Sequence, residues 1–429
     1  MRFRMNAGVS RGAYYGWRVV AALFVVGMMV YGGGLYAFTV FIPALTTEFG
    51  LNRATTGGLV SIFWLTAPLT VLGSYLAARL GSYRVIVAGV VLAALCMMAI
   101  GLANSVVVMF ALRALMGFAK ILMACGVNVM AAVWFRRRFG LAIALCYAGW
   151  HFGGLVLAPL TQFLIDQVGW RHTSLIMGSL ICLVGLPPLM AWARKDSPAA
   201  LGLGLDGDLL QTPETNAPGR GVSGGVNEPY SSTAFPRTTF WLAVAVTVLG
   251  GVAYGGLLAH EVAFISDRPV PHPIAALSLS LTAGAAIVGA VGVGHLSDRW
   301  PYRLTMILEL GVMVASVCGF LLFLQTSNAA VLLASALAFG LSVGGFDTCV
   351  VSHLRRQVET KAFSRVYGLW YFFYLATLFS GPILIGAVYD AFGSYRLGLY
   401  LMIACIGGAM IAVAATPGGS MARAQAGAT

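Results

Sequence analysis

The chain has 429 residues, 59% of them hydrophobic and only 9% charged, with a mean hydropathy of +0.87 and a formal net charge of +12. Soluble domains carry about 25% charged residues, so this composition excludes an ordinary soluble protein and indicates a polytopic protein embedded in a lipid bilayer. The basic residues fall in short clusters between apolar runs, which fits membrane topology and speaks against nucleic acid as a partner.

The first apolar stretch follows Arg2, Arg4 and Arg11, as in a signal peptide. It is too long, lacks a convincing cleavage site and is followed by many similar runs, so it reads as a first membrane helix. Apolar runs of about 20 residues place spans 1 to 6 near 18–43, 55–77, 85–104, 107–133, 140–164 and 173–193. Spans 7 to 12 follow near 239–263, 274–296, 304–324, 329–352, 366–388 and 396–416. Residues 194–237, rich in Gly, Pro, Ser and Asn, cannot bury a core and read as a flexible linker. The expected fold is an all-α membrane protein of 12 transmembrane helices in two six-helix bundles, over 1–193 and 238–429, with the linker between them. If the N-terminus is cytoplasmic, inside segments hold twenty Lys and Arg against four in outside loops. The positive-inside rule then puts both termini and the linker in the cytoplasm of a multi-pass protein of the cell (inner) membrane.

Span 4 is the anomaly, because Arg113 and Lys120 sit inside its apolar run. An Arg or Lys at the centre of a membrane helix costs about 2.5–3.5 kcal/mol on insertion scales, so such residues face a partner or a watery cavity. Lys120 lies too deep to snorkel, whereas Arg113 is nearer an interface. A spacing of seven puts both on one stripe with the small residues Gly117 and Ala124. Lys120 is the candidate charge partner of an anionic substrate or of a switched ion pair, against the alternative of a structural pair. Arg113 is either a substrate ligand or a scaffold bonding to backbone carbonyls.

Other polar residues at membrane depth are few. His151 in span 5 lies near the depth of Lys120 and could carry a coupling proton, or be a neutral core histidine. Asp347 in span 10, after Gly344-Gly345-Phe346, and Glu309 in span 9 are the acidic candidates for pairing or titration. Tyr31, Tyr36, Tyr254, Tyr371 and Tyr374 recur in the Gly-rich spans 1, 7 and 11; Tyr36 and Tyr374 are the expected hydrogen-bond donors to a substrate, with Tyr31 and Tyr254 beside them. His260-Glu261 near the outer end of span 7 lacks the second His of a zinc helix and reads as a gate or rim. The seven cysteines lie in apolar runs without a C-x-x-C pair, and so suggest neither disulfides nor a metal site. Gly202-Leu203-Gly204-Leu205-Asp206-Gly207 matches a nucleotide-binding pattern, but no strand precedes it, and no P-loop occurs. No cofactor is expected, and no enzyme: nowhere do a nucleophile, a metal cluster or paired carboxylates share a depth.

The halves echo each other, with Tyr31-Gly32-Gly33-Gly34-Leu35 against Tyr254-Gly255-Gly256-Leu257-Leu258, and Asp166 to Arg171 after span 5 against Asp390 to Arg396 after span 11. Gly294-His295-Leu296-Ser297-Asp298-Arg299-Trp300-Pro301-Tyr302-Arg303 resembles the loop signature of the major facilitator superfamily. In its first-half copy, Ser74 to Arg84, Ser74 and Ala78 replace the glycine and the aspartate while Arg79 remains. The resemblance implies that Asp298, Arg299 and Arg79 belong to gating loops tying helix ends together, the first one weakened. Arg113-Ala114-Leu115-Met116-Gly117-Phe118-Ala119 is similar to the family's fourth-span element.

Tyr15-Gly16-Trp17-Arg18, Tyr36 to Phe41 with Glu48-Phe49-Gly50, and Ser197-Pro198 with Asp206-Gly207 resemble the branch of monocarboxylate transporters and oxalate/formate antiporters. Small-carboxylate carriers of that branch often have an Arg in span 8, and Gly289-Ala290 stands here instead. The resemblance implies a monomeric secondary transporter of a small organic anion, expected to be a monocarboxylate coupled to H+, with export of an amphipathic metabolite or drug as the alternative.

Overall fold

The computed structural model describes residues 14–51, 55, 58–59, 61–194, 197–202, 204–207, 237–266, 272–358 and 360–416. Of the basic residues counted for topology, Arg2, Arg4, Arg11, Arg53, Lys195, Arg220, Arg268 and Arg423 lie outside these residues, as does most of the linker.

Long apolar helices account for the described chain. Span 1 is Gly16–Phe49, span 3 Ser82–Leu102 and span 4 Val106–Trp134. Spans 5 and 6 lie within Phe139–Trp192 and are parted by a kink at Gly169, whose φ of 76° only glycine adopts without strain. Spans 7 to 12 are Arg237–Ser266, His272–Arg299, Tyr302–Thr326, Ala329–Gln357, Thr360–Phe392 and Tyr395–Ala415.

Two spans depart from regular helix. In span 1 the stretch Met28–Ala37, which holds the three consecutive glycines, is wound as π-helix. Span 2 is not the straight helix expected over 55–77: residues 62–66 form a turn, Ala67–Leu69 a 3-10 helix, and only Thr70–Leu80 a regular α-helix. Pro68 removes one helical N–H and disfavours the α conformation before it. The exposed backbone then packs on span 4, where a Cβ added to Gly117 would stand 2.6 Å from the carbonyl oxygen of Phe63. Irregular backbone is tolerated at membrane depth only when protein covers it, and the small-residue stripe of span 4 provides that cover.

The arginine-rich helix ends lie on one side of the molecule, and there the two bundles meet. Span 5 packs on spans 8 and 10, and span 11 on spans 2 and 4. Backbones approach closely at Gly140, where a Cβ would lie 2.6 Å from the carbonyl oxygen of Gly294. Ser364 donates to the Ser74 carbonyl at 2.6 Å, Arg355 donates to the Ala132 carbonyl at 3.1 Å, and Phe139 meets Phe363 edge-on at 5.8 Å. At the opposite end, Glu48 accepts from Arg171 at 2.7 Å and from the Trp170 indole, fastening span 1 to span 6.

The described start of the linker is ordered against the first bundle rather than free. Asp206 accepts from the backbone N–H groups of Arg136, Arg137 and Arg138 at 3.1, 2.8 and 3.4 Å. The glycine-rich match around it thus turns its carboxylate onto the chain's own backbone.

Candidate functional site

Lys120 stands fourteen residues from each end of the Val106–Trp134 helix, about 21 Å of rise either way. Both it and Arg113 are fully buried, but they are held very differently. Arg113 donates from Nε to the Leu59 carbonyl at 3.1 Å and from an Nη to the Gly34 carbonyl at 2.5 Å, with its guanidinium 3.7 Å over the Phe38 ring. These carbonyls belong to the π-wound part of span 1 and the start of span 2. Arg113 therefore ties three spans together through their backbone. Arg113→Ala is expected to destabilise the detergent-solubilised protein by about 2–4 kcal/mol, from two abandoned carbonyls. The thermal midpoint measures this, and Arg113→Lys should recover part of the loss.

Lys120 has no such anchorage. Its ammonium lies 4.6 Å over the Phe63 ring and 4.4 Å over the Trp64 ring, and Nζ has no hydrogen-bond partner. Desolvated cation–π contacts supply about 2 kcal/mol, while burying an ammonium costs several. The position is electrostatically incomplete without an anion. Both covering rings come from the 62–66 turn of span 2, the least regular backbone at this depth.

Trp64 links Lys120 to the centre. Tyr31 lies 6.3 Å from Trp64 and stacks on Trp150 at 4.7 Å and 10°. From the other bundle Tyr254 stacks on Tyr374 at 6.3 Å, and Tyr374 on Tyr371 at 5.8 Å. The Tyr31 phenol is within electrostatic reach of Tyr254, Tyr371 and Asp347, so these groups face one another between the bundles. The two phenols expected to be free donors are already engaged: Tyr374 donates to Asp347 Oδ2 at 2.5 Å, and Tyr36 pairs with His151 Nδ1 at 3.4 Å. Asp347 Oδ1 is buried without a partner. Glu309 lies behind span 10, against Gly345, and so outside the central group.

Of the loop residues, Asp298 crosses between the bundles and accepts from the N–H groups of Gly140 and Leu141 at 2.7 and 2.9 Å, the first turn of span 5. Arg356, not Arg299, is the cation beside it, at 3.9 Å; the Arg299 side chain is exposed. Arg79 donates to Tyr75 on its own helix, at 3.0 Å and on the exposed surface. His260 contacts the Pro382 carbonyl at 3.0 Å, and Glu261 accepts from Thr282 at 2.9 Å, so both are bonded within the second bundle. The described residues contain no metal-holding cluster.

Sequence reasoning missed Asn128. Eight residues after Lys120 on the same helix, it accepts from Tyr147 at 2.9 Å and donates to Tyr367 of the other bundle at 2.9 Å. An amide in an apolar run was the available signal, since a buried amide must find partners.

A family model described as Major Facilitator Superfamily matches residues 23–372. The chain belongs to the Major Facilitator Superfamily. It is a multi-pass membrane transporter for a small molecule, not an enzyme. Among this superfamily member's relatives, human monocarboxylate transporter 12 is 25% identical over 90% of this chain and 77% of its own. Mouse monocarboxylate transporter 11 is 27% identical over 91% of this chain and 84% of its own. The solved structure of the transporter FucP in the outward conformation superposes with a TM-score of 0.69 at 14% identity, covering 94% of this chain and 99% of that one. The two-bundle fold is thereby shared.

Proposed function

We propose that the protein carries a small monocarboxylate across the cell membrane by rocking of its two bundles, with H+ as the coupling ion. The observation that carries this reading is the buried, partnerless ammonium of Lys120, the cation an organic anion would complete. The relatives named as monocarboxylate transporters support the substrate class. Span 8 has no Lys or Arg before Arg299 at its arginine-rich end, so the anion's charge falls to span 4. Tyr31, Tyr36, Tyr254 and Tyr374 form the aromatic walls. Asp347, held by Tyr374, is the proton acceptor on the facing bundle, and His151, bonded to Tyr36, orients that wall. A proton entering with each carboxylate leaves the cycle electrically balanced.

The arginine-rich end is the cytoplasmic one by the positive-inside rule, so the termini and linker are cytoplasmic. In this state that end is closed, by Asp298 on span 5 and by the Asn128–Tyr147–Tyr367 group. The basic loops are topological, which leaves no role for nucleic acid, and the transporting unit is the monomer.

The test is uptake into proteoliposomes across a panel of monocarboxylates. Uptake is expected to saturate, to be accelerated by internal substrate, and to rise as the external pH falls. Resistance to drugs without carboxylate flux would instead establish export of amphipathic compounds.

A further inference from the structure

From the central group into the second bundle runs a column of polar atoms left without partners. Asp347 Oδ1, Glu309 Oε1, Tyr302 OH and His353 Nε2 are all buried and lack a hydrogen bond, and Ser297 Oγ has only the Cys349 thiol beside it. Glu309, Ser297 and His353 are 2%, 4% and 5% exposed, so surface water does not serve them. Buried polar groups are almost always bonded, and several unsatisfied together mark a place where internal water belongs, each molecule serving two to four polar atoms.

The column has a direction. Asp347 faces the central tyrosines. The Glu309 carboxylate presses on Gly345, where a Cβ would lie 2.7 Å from Oε2, and it feels the charge of Asp347. Cys349 is next, within electrostatic reach of both Glu309 and Tyr302. Tyr302 then stacks on His353 at 3.7 Å and 17°. Six residues of helix separate Asp347 from His353, about 9 Å along span 10 toward the arginine-rich surface. At the mouth, Arg356 donates to the Ser297 carbonyl and lies 3.9 Å from Asp298. The titratable groups along the column are thus Asp347, Cys349, His353 and Arg356 of span 10, Glu309 and Tyr302 of span 9 and Asp298 of span 8. At the inner end Tyr254, Tyr371 and Tyr374 adjoin Asp347.

We propose that this column is a water-filled proton path, running from Asp347 through Glu309 to His353 and out at the arginine-rich end, separate from the route the substrate takes between the bundles. The path rests on the proton-coupled reading above. Asp347, protonated at the centre, gives up its proton as the O–H bond breaks, and the Glu309 carboxylate takes it up. Water then hands the proton to the His353 imidazole, and from there it passes to bulk water, leaving both carboxylates ionised. While the end is closed, the Arg356 guanidinium at the mouth opposes the exit of a cation. Opening that end removes Asp298 from span 5 and releases Arg356 with it, so proton release stays tied to the rocking of the bundles.

The test compares acid-driven net uptake with substrate exchange at equal pH, in proteoliposomes, for the wild type, Glu309→Gln and His353→Asn. Each variant is expected to lose about tenfold in net uptake while exchange stays within about twofold, because exchange needs no proton release. If Glu309→Gln fails to fold, His353→Asn carries the comparison alone. Wild-type net uptake in the folded variants overturns the path, as does parallel loss of net uptake and exchange, which assigns the column to structure or binding. A wild type without acid-driven accumulation overturns the coupling reading, and the path with it, before any variant is measured.

Discussion

Replacing Lys120 with Ala is expected to lower monocarboxylate uptake by at least about 100-fold, the scale of losing one partner of a buried charge pair. The helix itself should survive, since removing an ammonium that nothing neutralises relieves a desolvation cost. A thermal midpoint equal to or above that of the wild type, together with lost uptake, is therefore the expected signature. It is the reverse of the outcome for Arg113→Ala, where stability falls because the Leu59 and Gly34 carbonyls lose their donor. Lys120→Arg tests geometry, since a planar guanidinium must fit between Phe63 and Trp64. Retention of wild-type affinity by Lys120→Ala would remove the anion site from span 4.

The contrast between these cations shows what the sequence could and could not disclose. Their depth and shared stripe followed from a spacing of seven, and with Gly117 between them they were legible as one face of one helix. Their division of labour was not, because it depends on backbone that no apolar count reveals. The π-wound part of span 1 and the start of span 2 bring the Gly34 and Leu59 carbonyls to Arg113, and the 62–66 turn of span 2 brings two aromatic rings over Lys120. Hydropathy sees twenty apolar residues either way.

The same limit explains the tyrosines. Tyr36 and Tyr374 were identifiable as polar groups in Gly-rich spans, but their partners, His151 and Asp347, lie 115 and 27 residues away in the chain. The bonds are set by how helices pack, not by any local pattern. Asn128 is the extreme case, bridging to Tyr367 across 239 residues. Glu309 was found as an ionisable residue in the membrane, and its role emerges only from its neighbours Gly345, Asp347 and Cys349.

In the loop motif Asp298 crosses to the other bundle, with Arg356 rather than Arg299 beside it, and this leads to the second large effect. Asp298 accepts two backbone N–H groups at the first turn of span 5, where the helix dipole adds to their attraction. Hydrogen bonds to a charged acceptor contribute about 1.5–3 kcal/mol each. Even if water recovers half of that when the end opens, Asp298→Ala should favour the open end by about 10- to 100-fold. The chain carries its own reporter for this shift. Cys125 is buried beneath the contact of spans 2 and 11, bonded by Ser74 at 3.3 Å and within electrostatic reach of Tyr367. Its labelling by a membrane-impermeant maleimide from the arginine-rich side should accelerate by that factor in Asp298→Ala. Asp298→Asn, which keeps one acceptor oxygen and loses the charge, should fall between. Among the described residues the first bundle shows no equivalent carboxylate latch, since Ala78 stands where a second aspartate would be and Ser364 meets the Ser74 carbonyl instead. With no second carboxylate to share the closing, an unchanged Cys125 rate in Asp298→Ala would mean that the Asn128–Tyr147–Tyr367 group, and not the loop aspartate, holds this end shut.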